Sequence, residues 1–167
     1  DKLVVDPVMV AKGGAKLIRD DAREMLIELL IPLALVVTPN IPEAEALTGL
    51  SISGPESMRE AAVRILALGA RHVVVKGGHL DGDAIDILYD GRRFHEFSGR
   101  RIHTRDTHGT GCTFSAALAT GLAKGLEVAE AVAEAKRYVA EAIRHAYRIG
   151  GGHGPTNHLA PVCPDRF

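Results

Sequence analysis

Tryptophan and glutamine are absent from this 167-residue chain, and asparagine occurs only at positions 40 and 157. A shortage of thermolabile amides is a trait of heat-adapted sources. Only two cysteines are present, Cys112 and Cys163, too few and too far apart for a disulfide framework. A reducing cytoplasm is the default expectation. Neither sign of charge dominates: 20 Lys and Arg face 21 Asp and Glu, a net charge of −1. That balance excludes the electrostatic footprint of nucleic-acid or membrane binding. Long apolar runs are missing too. The longest, Leu29 to Val37, is short and holds Pro32, which excludes a membrane span. No signal-like stretch, repeat, low-complexity tract or interdomain linker is visible.

What is present fits one domain over residues 1–167, with 46% apolar and 25% charged residues. The chain opens without methionine in Lys2-Leu3-Val4-Val5, which reads as a buried strand. A start inside a strand suggests the C-terminal portion of a longer chain. Asp6-Pro7 ends that strand. Asp6 is either a plain turn residue or a carboxylate facing a ligand crevice at a strand end. Asp20 and Asp21 can open a helix to about Leu30, with Ala22, Met25, Leu26, Leu29 and Leu30 on one side. Leu35 to Thr38 reads as a second strand. Pro42 then suits the first turn of a helix to Leu47. Asn40 and Glu43 are three residues apart across that entry, as in a capping box; they could also face a common ligand.

Pro55 to Leu68 is amphipathic, with Met58, Ala62, Ile65 and Leu66 on its apolar side and Gly69 as its stop. His72 to Lys76 is a third strand, and Lys76 before Gly77-Gly78 either reaches a phosphate or is a solvated terminus. Ala84–Tyr89 and Arg92–Phe97 around Asp90-Gly91 predict an edge hairpin, and Arg101–Thr104 one more short strand. Helices are expected to about Lys124 and from Val128 to Arg148. Strands alternating with helices predict a mostly parallel sheet covered on both faces.

The most informative stretch is Thr107-His108-Gly109-Thr110-Gly111-Cys112-Thr113, a glycine turn running straight into Phe114-Ser115-Ala116-Ala117. Free N–H groups at a helix start, at about Gly109 to Cys112, make an anion site for which phosphate is the usual occupant. A turn that merely opens a helix is the alternative. Several other sites are excluded. The P-loop lysine is missing, Phe114 stands at the third glycine position of a dinucleotide fingerprint, and the histidines show no metal-site spacing with either cysteine. Cys112 as a hydrolytic nucleophile needs a positioned base, which His108, just before the turn, could supply.

Five segments stand in a recognisable order: Asp6-Pro7-Val8-Met9-Val10-Ala11-Lys12, Thr38-Pro39-Asn40-Ile41-Pro42-Glu43-Ala44, Lys76-Gly77-Gly78-His79, Thr107 to Thr113, and Gly152-His153-Gly154-Pro155-Thr156-Asn157-His158. The series resembles the hydroxymethylpyrimidine/phosphomethylpyrimidine kinases of thiamine biosynthesis, in the ribokinase-like superfamily. Gly13 departs from the family's usual serine, and about the first hundred family residues have no counterpart.

The resemblance implies a three-layer α/β/α ribokinase-like fold lacking its N-terminal part. It implies ATP- and Mg²⁺-dependent phosphorylation of a hydroxymethylpyrimidine and then of its monophosphate. On that likeness Gly109, Thr110, Gly111 and Cys112 form the anion hole, and Thr107 lies beside the nucleotide. Cys112 also meets the substrate, where sugar kinases of the superfamily place an aspartate base. Asn40 and Glu43 organise Mg²⁺ through water, with Asp6 in the same cluster. Lys76 faces the nucleotide phosphates and Val8 packs on the pyrimidine. The implied partners are the small pyrimidine and ATP, and a homodimer is one assembly it allows. A pyridoxal-type kinase and a non-catalytic nucleotide-binding fragment are the competing readings.

Overall fold

The computed structural model describes residues 2–9, 17–80, 82–160 and 162. The chain packs as two compact units, Asp1–Arg101 and Ile102–Phe167.

The first unit is built on a five-stranded sheet: β1 (Val4–Val5), β2 (Val36–Val37), β3 (His72–Lys76), β4 (Ala84–Tyr89) and β5 (Phe94–Gly99), paired in that order. The pairings β1–β2 and β2–β3 are parallel, and β3–β4 and β4–β5 are antiparallel. Four strands therefore run one way and only β4 runs against them, so the expected mostly parallel sheet is mixed at its hairpin edge. Val5 pairs with Val37, Val37 with Val73, and Val75 with Ile87. These residues join one core with Ile41 and Ala44 of α2 (Ile41–Thr48) and Met58, Ala61, Ala62 and Ile65 of α3 (Pro55–Leu66). Val36, Val74 and Leu88 alternate to the other face and are equally buried. Burial on both faces is why these strands are written as continuous apolar runs.

Three expectations fail in this unit. The helix from Asp20 is α-helical only over α1 (Asp20–Met25), becomes a π turn at Leu26–Leu30, and tightens to 3₁₀ over Ile31–Leu33 around Pro32. The π turn shifts the apolar register. Leu26 and Ile27 pack on the core, while Met25 and Leu29 stay 59% and 58% exposed. The hairpin's return strand starts at Phe94 rather than Arg92, because Asp90 Oδ1 accepts the N–H groups of Arg92 and Arg93 and widens the turn. Arg101–Thr104 forms no strand. The Arg101 guanidinium instead donates to the carbonyls of Gly78, Leu80 and Gly82.

The second unit holds α4 (Thr110–Ala123) and α5 (Val128–Arg144). Phe114, Leu118 and Leu122 of α4 and Ala131, Val132, Ala135 and Ala142 of α5 are buried. Gly121 lets the helices approach, since a Cβ there would lie 3.1 Å from that of Ala131. The last helix stops at Arg144, short of Arg148, because the tail takes over the pairing. Asn157 N–H donates to Ala142 O and Tyr147 N–H to Pro155 O. Among the described residues no helix is long and apolar enough to cross a membrane.

Candidate functional site

Strand ends and one helix start in the first unit bring together Asp6, Thr38, Asn40, Glu43 and Lys76. Asp6 follows β1, Thr38 follows β2, and Lys76 ends β3, where its N–H donates to Pro39 O at 2.8 Å. The carboxyl ends of these parallel strands are where α/β sheets expose ligand groups. Lys76 Nζ donates to Asp6 Oδ1 at 3.0 Å, and Thr38 Oγ1 donates to the same oxygen at 3.2 Å. The two charged side chains are only 12% and 16% exposed, so Lys76 is not a solvated strand terminus.

Beside them the capping box forms in full. Glu43 N–H donates to Asn40 Oδ1 at 2.9 Å, and Asn40 N–H donates to Glu43 Oε2 at 2.8 Å. The cap alone does not explain why the carboxylate sits inside the protein. Glu43 is 3% exposed, and burial lifts its pKa above the ordinary 4.5, against the bond from Asn40 and the nearby charge of Lys76. Asp6 adds to the upward push. Asp6 Oδ1 and Glu43 Oε2 carry the bonds above, and each carboxylate has a second oxygen. Such hard oxygens suit Mg²⁺, which keeps several waters and takes only one or two carboxylates plus phosphates. Among the described residues no three His, Cys, Asp or Glu side chains form an all-protein metal cage.

The second unit carries the glycine turn. Gly109 caps α4 in the left-handed region at φ 86°, the conformation glycine tolerates best. No side chain caps this end, and among the described residues no acceptor takes the N–H groups of Thr110, Gly111 or Cys112. Three donors at the positive end of a 14-residue helix therefore stand open to an anion. Cys112 lies in this first turn, exposed and with its thiol free. Thr107 donates its N–H to Arg105 O at 3.1 Å just before the turn.

Val8 is 43% exposed, and its N–H donates to Asp6 O at 2.8 Å. The rest of that loop, Val10 to Gly13, and Cys163 lie outside the described residues. Sequence reasoning passed over Thr38, whose hydroxyl steadies Asp6, and gave no role to Thr113, Thr156 and His158. Thr38 meets Asp6 across 32 positions and Thr113 meets His158 across 45, which no local spacing reveals.

The family model described as phosphomethylpyrimidine kinase matches residues 1–157. The chain belongs to this family. Thiamine biosynthesis bifunctional protein ThiED of Geobacter sulfurreducens is 61% identical over 158 residues, covering 94% of this chain and 32% of that protein. The hydroxymethylpyrimidine/phosphomethylpyrimidine kinase of Bacillus subtilis is 48% identical, covering 96% of this chain and 60% of its own length. An ADP complex of Bacillus subtilis pyridoxal kinase superposes with a TM-score of 0.88 at 44% identity, over 95% of this chain and 61% of that one. The α/β, ribokinase-like fold of the family is thus that of this chain. The chain spans from about a third to three-fifths of the length of these relatives.

Proposed function

We propose that this chain carries the nucleotide-handling part of an ATP-dependent kinase that phosphorylates hydroxymethylpyrimidine and then its monophosphate. The observation that carries the reading is the open start of α4, in a chain of the phosphomethylpyrimidine kinase family. Phosphoryl transfer asks mostly for positioning and charge stabilisation, and free helix N–H groups supply both. In this reading the N–H groups of Thr110, Gly111 and Cys112 receive the oxygens of the transferring phosphoryl group, with Thr107 beside the nucleotide. Lys76, already balanced by Asp6, offers its ammonium to the nucleotide phosphates. Asn40, Glu43 and Asp6 would hold Mg²⁺ through its water shell, and the ion would supply neutralisation of phosphate charge. Val8 offers an exposed apolar surface to the pyrimidine ring. A reducing cytoplasm is the compartment proposed for it, since two cysteines so far apart in sequence make no disulfide framework.

A pyridoxal-type kinase is the second reading, favoured by the similarity to the Bacillus subtilis pyridoxal kinase structure. The experiment is calorimetric titration with ATP and Mg²⁺, followed by ADP release with hydroxymethylpyrimidine, its monophosphate and pyridoxal as separate acceptors. We expect nucleotide binding and slow turnover of the isolated chain. Any acceptor-dependent release should favour the two pyrimidines. Release with pyridoxal alone would move the assignment to the second reading, and a chain that binds no nucleotide would end the kinase reading altogether.

A further inference from the structure

The tail after α5 is irregular in sequence, yet it returns to the glycine turn and is bonded to it repeatedly. His108 N–H donates to Gly154 O at 3.0 Å and Thr156 N–H to His108 O at 3.3 Å, a short parallel bridge between His108 and Pro155. Gly154 N–H donates to Asp106 Oδ1 at 2.9 Å. Thr156 Oγ1 lies 4.0 Å from where a Cβ of Gly109 would be, so the buried threonine lies against the open side of the capping glycine. The last contact is the imidazole of His158. Its Nε2 lies 2.9 Å from Thr113 Oγ1, in the first turn of α4, and 3.2 Å from Thr156 Oγ1. His158 is itself held from behind, because Tyr138 Oη donates to its carbonyl at 2.7 Å.

We propose that His158 is a positioning residue for the anion-binding turn, fixing through Thr113 and Thr156 the direction in which the Thr110 N–H points. The inference rests on the kinase reading for its consequence, but not for its geometry. Thr113 donates both its hydroxyl, at 2.8 Å, and its N–H, at 2.9 Å, to the carbonyl of Gly109. That carbonyl and the Thr110 N–H belong to one planar peptide, so holding the first fixes the second. The hold matters at this position because glycine in the left-handed region is the residue for which an alternative peptide orientation is cheapest. With the hydroxyl proton of Thr113 committed to Gly109, the threonine oxygen meets the imidazole as an acceptor, and His158 Nε2 carries a hydrogen. Among the described residues His158 is the side chain that ties the tail to α4 through this hydroxyl.

The test compares His158→Leu, which keeps bulk without polar atoms, with His158→Gln, whose amide can still donate. Two ligands are titrated, ADP and the non-hydrolysable ATP analogue AMP-PCP, which adds the terminal phosphoryl group. His158→Leu should weaken AMP-PCP binding about fivefold to tenfold, the scale of one lost hydrogen bond, and leave ADP binding unchanged. His158→Gln should restore most of the difference. Exchange of the Thr113 amide, followed by NMR without any ligand, should accelerate by a similar factor in His158→Leu and recover in His158→Gln. Nitrogen shifts of the wild-type ring should report the Nε2–H form. Equal loss for both nucleotides, or glutamine no better than leucine, would overturn the proposal, as would unchanged Thr113 exchange. If the wild-type chain binds neither nucleotide while Thr113 exchange still follows the substitution, the brace stands and the kinase reading falls.

Discussion

Replacing Gly77 by alanine isolates the link between the sheet and Lys76. Gly77 is not in the left-handed region, so its requirement is steric rather than conformational. A Cβ there would fall inside the van der Waals envelope of the Ile85 carbonyl oxygen, with Ile85 C at 3.1 Å and Met58 Cε at 3.0 Å. The methionine can move; the β4 backbone cannot do so freely. It would have to withdraw by roughly 1 Å or more, against the Lys76–Asp86 register and the bond from Gly77 N–H to the buried Asp86 Oδ1 at 3.0 Å. Overpacking of this kind costs about 1–3 kcal/mol, and losing the buried bond adds about 1 kcal/mol. At about 2–4 °C per kcal/mol for a chain of this size, Gly77→Ala should melt roughly 4–16 °C below the parent. Gly78→Ala is the control, since a Cβ there meets nothing within 4 Å. Its melting temperature should stay within about 1 °C. Differential scanning calorimetry of both variants decides the matter. Equal melting temperatures for Gly77→Ala and the parent would refute the packing argument, and so would equal losses for both glycines, since chain entropy alone makes such a change stabilising.

Glu43→Gln preserves the capping geometry and removes the buried charge. The folded state holds Glu43 above its ordinary 4.5, so the native protein binds its proton more tightly than the unfolded chain does. Stability therefore falls as pH rises from 4.5 through the raised value, and the glutamine variant lacks that slope. It should melt at or above the parent at neutral pH, with the gap closing below pH 4.5, while nucleotide affinity loses much of its Mg²⁺ dependence. An unchanged Mg²⁺ dependence would instead leave Glu43 as a helix cap only, since glutamine also closes the capping box. At position 112, in whichever chain length turns over, Cys112→Asp should retain more alcohol than phosphate phosphorylation, because a fixed carboxylate repels an anionic acceptor. Cys112→Ala should lose roughly 10²–10⁴-fold on the alcohol step and spare the phosphate step, and equal factors on both would reduce Cys112 to a geometric role.

The sequence was most legible where one local rule acted without competition. His72–Lys76 is a strand with those bounds, and α3 starts at Pro55 and presents Met58, Ala62 and Ile65 inward as its spacing requires. The capping box at Asn40 and Glu43 was equally readable, since both partners lie within one turn. Legibility failed where a distant group decided the outcome. The apolar stripe from Ala22 to Leu30 resembles a helix face, yet the π turn and Pro32 break its register. The run after Arg100 has strand-like residues, but Arg101 is committed to three loop carbonyls. At the candidate site, residue types and order singled out Asp6, Lys76 and the glycine turn as candidates. The pairing of Lys76 with Asp6 across 70 positions, and of His158 with Thr113 across 45, became visible only in three dimensions.

The order of the strands has a bearing on how the first unit is made. Each strand pairs with its predecessor in the chain, so every new strand finds its template already synthesised. During translation β2 can dock on β1 and β3 on β2 without waiting for sequence still inside the ribosome. The hairpin of β4 and β5 closes over a short turn, the fastest kind of pairing, and can join β3 as a finished piece. In a growing chain of this design the open edge of the newest of the first four strands is covered by the next strand to emerge.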